Sequence, residues 1–471
     1  MIGFSSSGSQ NLFKKLLLGN EPTPELLAIL LVYFVQGVLS LARLAISFFL
    51  KDDLGLSPAQ VAALTGVAAL PWIIKPLWGF MSDGWPILGY RRRPYLILSG
   101  LLGSLAWVVL ATVVDSAVMA TGAIALSSLS VAISDVIADS IVVERARTES
   151  TSQVGSLQSL CWGTSALGGL ITAYLSGWLL EILTPQQVFG ITAIFPLIVA
   201  IGAGLIVESP VTDSTPAWNT IKHQVSQLKE AILLPSIWKP TLFLFLWQAT
   251  PSSDSAFFFF TTNELGFQPE FLGRVRLFTS IAGLIGIWIF QRFLKAVPFR
   301  QIFGWSTVIA VLFGFTPVLL VTHTNRLLGI GDRWFSLGDS VILTVIGEIA
   351  FMPVLVLCAK LCPPGIEATL FALLMSIANL SHVVSQELGA LLMHSFGITP
   401  NTFDNLALLV TLTNLSSLLP LPFLKLLPSD NTLSTPQVAD NPIHPLPDEE
   451  GDPESTKPLA GLKPISSPNQ A

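Results

Sequence analysis

The feature that most constrains this chain is a series of apolar runs, each long enough to cross roughly 30 Å of hydrocarbon as a helix of about 20 residues. Twelve such runs fall at 26–50, 59–81, 95–114, 117–143, 153–180, 187–207, 237–262, 270–294, 299–322, 337–360, 366–394 and 403–427, with polar breaks between them. A backbone in lipid must satisfy its own hydrogen bonds, so runs of this length read as helices rather than strands. The composition agrees: the chain is 51% hydrophobic and only 11% charged, whereas soluble domains carry roughly a quarter charged residues. The fold class expected is therefore an all-α integral membrane protein of twelve transmembrane helices, with the lipid bilayer as its main solvent.

Lys and Arg fall unevenly among the breaks. Lys14, Lys15, Arg91 to Arg93, Arg145, Arg147, Lys222, Lys229, Arg292, Lys295, Arg300, Lys360 and Lys425 lie on one side, while the other holds chiefly Lys51, Arg326 and Arg333. Cytoplasmic loops retain positive charge, so both termini are expected in the cytoplasm. The polar break 208–236 divides the spans six and six, and Ile221, Val225, Leu228 and Ile232 recur there at helical spacing, as in an amphipathic surface helix. The organisation expected is an arm 1–25, a six-helix bundle 26–207, a cytoplasmic linker 208–236, a second bundle 237–427 and a disordered tail 428–471 rich in Pro, Ser, Asp and Glu. Lys14 and Lys15 precede too short an apolar run for a signal peptide, and the arm is too poor in Arg for a transit peptide. A bacterial inner membrane is therefore favoured over an organelle. Cys161, Cys358 and Cys362 have neither disulfide nor zinc spacing and read as buried thiols. The net charge of -6 points to no nucleic-acid partner, and no nucleophile elbow, HExxH, P-loop or metal-spaced His/Cys cluster points to an enzyme, a metal or a cofactor.

After the second span the chain reads Lys75-Pro76-Leu77-Trp78-Gly79-Phe80-Met81-Ser82-Asp83, then Gly89-Tyr90-Arg91-Arg92-Arg93-Pro94-Tyr95. This resembles the loop between the second and third helices of the major facilitator superfamily, in which a glycine permits close packing and an acid faces a basic turn. Gly79, Asp83, Arg91, Arg92 and Arg93 are then the gating residues. The interval between Asp83 and Gly89 is longer than usual, and the second half has no matching acid near Gly286. Together with Ser134-Asp135-Val136-Ile137-Ala138-Asp139-Ser140 and Pro364-Gly365-Ile366-Glu367-Ala368-Thr369-Leu370-Phe371-Ala372, these blocks look like the folate-biopterin transporter family of cyanobacteria, plastids and kinetoplastid parasites, in its cyanobacterial form. The resemblance implies two six-helix bundles around a central cavity. It also implies a monomeric secondary carrier, working by alternating access and proton symport on folate monoglutamates, related pterins and antifolates.

Ionisable side chains at bilayer depth are costly unless paired or hydrated, which makes each one a functional candidate. Asp135 and Asp139 are four residues apart and share a helical face. Two such carboxylates suit proton exchange; alternatively, they form an ion pair with Arg43, Lys75 or Arg145. In the seventh span, Gln248 precedes Thr250-Pro251-Ser252-Ser253-Asp254, where Pro251 should break the helix and leave Gln248 and Asp254 on a cavity. Asn379, His382, Gln386 and Glu387 form a polar stripe on the eleventh span that must face protein, for cavity lining or interhelical bonding; Glu387 is a further proton-coupling candidate. Gln158 and Trp162 form a weaker stripe on the fifth span, whose Gly163, Gly168, Gly169 and Gly177 suit close helix packing.

A folate would set two tasks at opposite ends. Its carboxylates suit guanidinium forks, from Arg43, Arg274 or Arg276, with Lys75 as a point charge; Arg274 and Arg276 point to different faces, so at most one meets substrate. Its pterin edge suits Asp254 or Glu348, with Trp162 or Trp247 to stack on the ring. The alternatives are a carrier of another organic anion or drug, or a tetrapyrrole-binding assembly factor with His382 on the metal.

Overall fold

The computed structural model describes residues 17, 20–146, 151–210, 226, 228–362 and 367–428, all within the compact unit Met1–Pro436. Lys14, Lys15, Arg147, Lys222, the block at 363–366 and the tail after 428 lie outside the described residues, as do the side chains of Arg145 and Gln158. The regular elements are helices: α1 Pro24–Asp53, α2 Pro58–Gly84, α3 Arg93–Thr112, α4 Ala117–Ala146, α5 Thr151–Ile182, α6 Pro185–Leu205, α7 Pro235–Gln248, α8 Asp254–Phe259, α9 Pro269–Leu294, α10 Phe299–Val321, α11 Asp332–Lys360, α12 Glu367–Ser395 and α13 Leu406–Leu426. Among the described residues ten of these are long and apolar enough to cross a membrane. The others are α7 and α8, which are short, and α12, whose apolar length is interrupted by its polar stripe. Leu105, Ile201, Trp288 and Leu312 stand exposed on the spans, as suits lipid neighbours rather than water.

Local sequence explains the ends. Ser57 and Thr184 each accept from the backbone three residues on, Gln60 and Gln187 return the bond, and Pro58 and Pro185 occupy the first helical turn; these are capping boxes with a preset φ. Inside α2 the helix breaks at Ala69 and again at Ile74, just before Pro71 and Pro76, whose missing N–H interrupts the bond ladder. The second break places Lys75 at the start of a new helical segment.

α5 packs against α1 on one side and α9 on the other, α9 continues onto α11, and α12 packs against both α2 and α7. The α5–α9 crossing depends on absent side chains. A Cβ on Gly177 would lie 2.2 Å from the Pro269 carbonyl oxygen, and one on Gly273 would lie 2.9 Å from the Gly177 Cα. Four apolar clusters form the core. One, around Leu26, Val32, Leu96, Ile141 and Val199, draws only on residues before 207. A second, around Phe243, Phe303, Val354 and Leu374, draws only on later residues and takes in Leu228, Ala231 and Ile232 from the end of the linker. The remaining two mix the halves: Phe259 joins Phe49, Leu110 and Phe189, and Ala62 joins Ala256, Phe260, Leu320 and Met393. The halves thus share apolar packing near residues 48–62, 256–260 and 393–406.

Candidate functional site

The break at Ile74 aims Lys75 at α4, where Asp135 and Asp139 stand one turn apart. Lys75 forms an ion pair with Asp135 and lies 3.9 Å from Asp139. Its Nζ also sits over the Trp72 ring, 5.3 Å from the centroid. The Tyr33 hydroxyl, from α1, donates to Asp139. Of the cations that the sequence offered to this acid pair, Lys75 is found here, and the Arg145 side chain lies outside the described residues. The Lys75 and Asp135 side chains are 14% exposed, whereas that of Asp139 is 52% exposed.

A second charged locus joins α1, α5 and α9. Arg43 is exposed on α1, in the segment that packs on α5. The Arg276 Nη1 donates to Ser176 Oγ on α5 over 3.4 Å. Neither guanidinium meets a carboxylate among the described residues. Arg274, two positions away, points elsewhere and pairs with Glu270 one turn back at 2.5 Å. Two guanidiniums that meet no carboxylate among the described residues, one from each half of the chain, are each of the kind that holds an anion through paired N–H groups.

The third locus is the interrupted segment between α7 and α8. Pro251 lies within it, and its exposed backbone groups are met by α12: Ser252 N donates to the Ser385 carbonyl at 3.2 Å, and Ser385 Oγ donates to the Thr250 carbonyl at 2.6 Å. Gly389 completes the fit, since a Cβ there would lie 2.1 Å from the Ser252 carbonyl oxygen. Beside the break, Gln248 has a buried amide nitrogen with no partner, and Asp254 stands exposed at the start of α8. Trp247 is engaged within its own half, donating to Thr307 at 2.9 Å and meeting Phe303 edge to face.

The polar stripe of α12 divides among neighbours. Asn379 donates to the Trp72 carbonyl at the α2 break, 3.1 Å away. Gln386 and Glu387 face Gly66 of α2, with one Glu387 carboxylate oxygen buried and without a donor, and His382 is exposed. On α5, Trp162 is exposed. Glu348 packs against Gly283 and Gly286 of α9, so an acid does lie beside Gly286, contributed by α11. Asp339, also on α11, accepts from the Thr316 hydroxyl.

At the far end of α2, Gly79 faces Val136, and Asp83 pairs with Arg92 at 2.7 Å. Arg92 is buried and also donates to Ser82, Arg93 stacks over Tyr90, and Arg91 is exposed. The amides of Arg91, Arg92 and Arg93 all donate to the Glu208 carboxylate, at 2.5, 3.0 and 3.0 Å. The residues that sequence reasoning overlooked are therefore Tyr33, Glu208 and Asp339. Asp339 alone had a readable signal, an acid within an apolar run.

These loci lie on helices that match the BT1 family over residues 36–441. The chain belongs to the BT1 family. It is 60% identical over 452 residues to a folate-biopterin transporter of Synechocystis, covering 96% of this chain and 90% of that one. It is 33% identical to folate transporter 2 of Plasmodium falciparum, over 86% of this chain and 88% of that protein. It is 34% identical to a probable folate-biopterin transporter of Arabidopsis thaliana, over 84% and 81%. Its fold is shared with solved membrane transporters. The nucleoside transporter NupG superposes with a TM-score of 0.65 at 14% identity, over 85% of this chain and 98% of that one. The D-xylose–proton symporter superposes with 0.61 at 15% identity, over 86% and 98%. With carriers as relatives, this multi-pass membrane protein is not an enzyme.

Proposed function

We propose that this protein is a secondary carrier of folates and related pterins, driven by proton symport. The observation that carries the reading is that Arg43 and Arg276, on two helices that both pack on α5, lack a carboxylate partner among the described residues. They suit the two carboxylates of a folate's glutamate, and the relatives' names support the same substrate class. Gln248, Asp254 and His382, at the unwound α7–α8 segment and along α12, then address the pterin edge. Trp162 offers it an exposed ring.

In this reading α7 and α8 together make the seventh crossing and α12 the eleventh, which brings the ten apolar spans to twelve in two six-helix bundles. The basic loops face the cytoplasm of a bacterial-type inner membrane, and one chain holds a complete pathway. The apolar clusters mixing both halves seal the end near Lys51 and Asn263, whose side chains bond at 2.7 Å. The candidates for the proton chemistry are Asp135, Asp139 and Glu387, and the Asp83–Arg92 pair with its neighbours supplies the gate.

Arg43→Ala and Arg276→Ala should each raise the KM for folate uptake about tenfold or more, the loss of a charge-assisted hydrogen bond. Free pterin, which has no glutamate, should be affected less. Wild-type folate kinetics in both variants at normal protein levels would remove the assignment.

A further inference from the structure

Among the described residues the cluster on α4 sets one cation against two carboxylates. α1, α2, α3 and α5 pack on α4, and the side chains of Glu144 and Arg145 on α4 itself lie outside the described residues. α1 contributes Tyr33, α2 contributes Lys75, and α5 places Cys161 near Tyr33. On α3, Arg93 lies over the Tyr90 ring, and the Tyr95 hydroxyl is directed away, donating to the Met81 and Trp85 carbonyls. With Lys75 charged and both acids ionised, the cluster carries one uncompensated negative charge inside a membrane span, an arrangement that favours uptake of one proton. The two acids are not equivalent. Asp135 is held by Lys75 and largely covered, whereas Asp139 lies 3.9 Å from that ammonium and its side chain is half exposed.

We propose that Asp139 is the acid that takes up and releases the coupling proton, and that the Tyr33 hydroxyl is its positioning residue, favouring the charged form and setting the pH at which exchange occurs. The inference rests on the proton-symport reading. On loading, one proton from the side of higher proton activity binds an Asp139 oxygen and the cluster becomes neutral. On release the same proton leaves and the carboxylate returns to the Tyr33 hydroxyl. Lys75 and Asp135 keep their charges throughout, so no further donor or acceptor is needed.

The test is folate uptake into proteoliposomes as a function of external pH, for the wild type, Tyr33→Phe, Asp139→Asn and Asp135→Asn. Uptake should fall as pH rises through the midpoint of the coupling acid. Removing a donor to the charged carboxylate weakens that form, so Tyr33→Phe should move the midpoint up by about one pH unit. Asp139→Asn should leave a slower uptake whose rate no longer depends on pH; this arm decides the matter if Tyr33→Phe fails to fold. A Tyr33→Phe profile superposable on the wild type, or pH dependence that survives in Asp139→Asn and vanishes only in Asp135→Asn, overturns the inference and leaves symport standing. A wild-type protein indifferent to an imposed pH gradient overturns the symport reading itself.

Discussion

Glu208 shows how one side chain can organise the loop that the gating residues occupy. The amino end of a helix presents N–H groups without intrahelical partners and a partial positive charge, and three successive arginines, Arg91 to Arg93, lead into α3 there. The Glu208 carboxylate takes the amides of Arg91, Arg92 and Arg93, while Asp83 takes the Arg92 guanidinium. Glu208→Gln should therefore cost about 1 kcal/mol of stability, seen as a lower thermal midpoint in detergent. An unchanged midpoint would mean that the clamp contributes nothing. The loop charges were legible in the sequence because they stand out against apolar spans. Glu208 was not, since a carboxylate at the head of a polar linker looks like one more solvated group. Tyr33 was hidden for a related reason: within an apolar run an aromatic ring reads as core, and its hydroxyl matters only once α4 is known to lie beside it.

At the scale of elements, the interruption between α7 and α8 is the least regular part of the spans and the best supported by a neighbour. Pro251 foretold the break, because a proline cannot donate to the preceding turn. What spacing did not reveal is that Ser385 and Gly389, four apart on α12, form the surface that receives it. Gly389→Val should abolish uptake and lower thermal stability, since the added carbons collide with the Ser252 carbonyl. Ser385→Ala, which loses one hydrogen bond worth about 1 kcal/mol, should be milder in both. Equal effects in the two variants would contradict this packing. The polar stripe of α12 was legible as facing protein, but its division between the α2 break, Gly66 and the α7–α8 segment is a tertiary outcome that helical periodicity does not encode.

For the whole molecule, apolar length alone made the membrane class plain, and the basic loops suggested its orientation. The partnerships of helices distant in sequence, such as α5 with α9 and α2 with α12, were not readable, because small residues at a crossing specify closeness but not the partner. Those partnerships set the helices of Arg43 and Arg276 on either side of α5 and join the halves through apolar packing at one end. The account rests on this protein moving an anionic pterin conjugate across a bilayer. The direct measurement is uptake of labelled folate by proteoliposomes containing the purified chain, against protein-free liposomes, with unlabelled folate, free pterin and unrelated organic anions as competitors. Saturable uptake that folates and pterins inhibit and the other anions do not is the predicted result. Uptake no greater than in empty liposomes, or uptake inhibited equally by any organic anion, would contradict it.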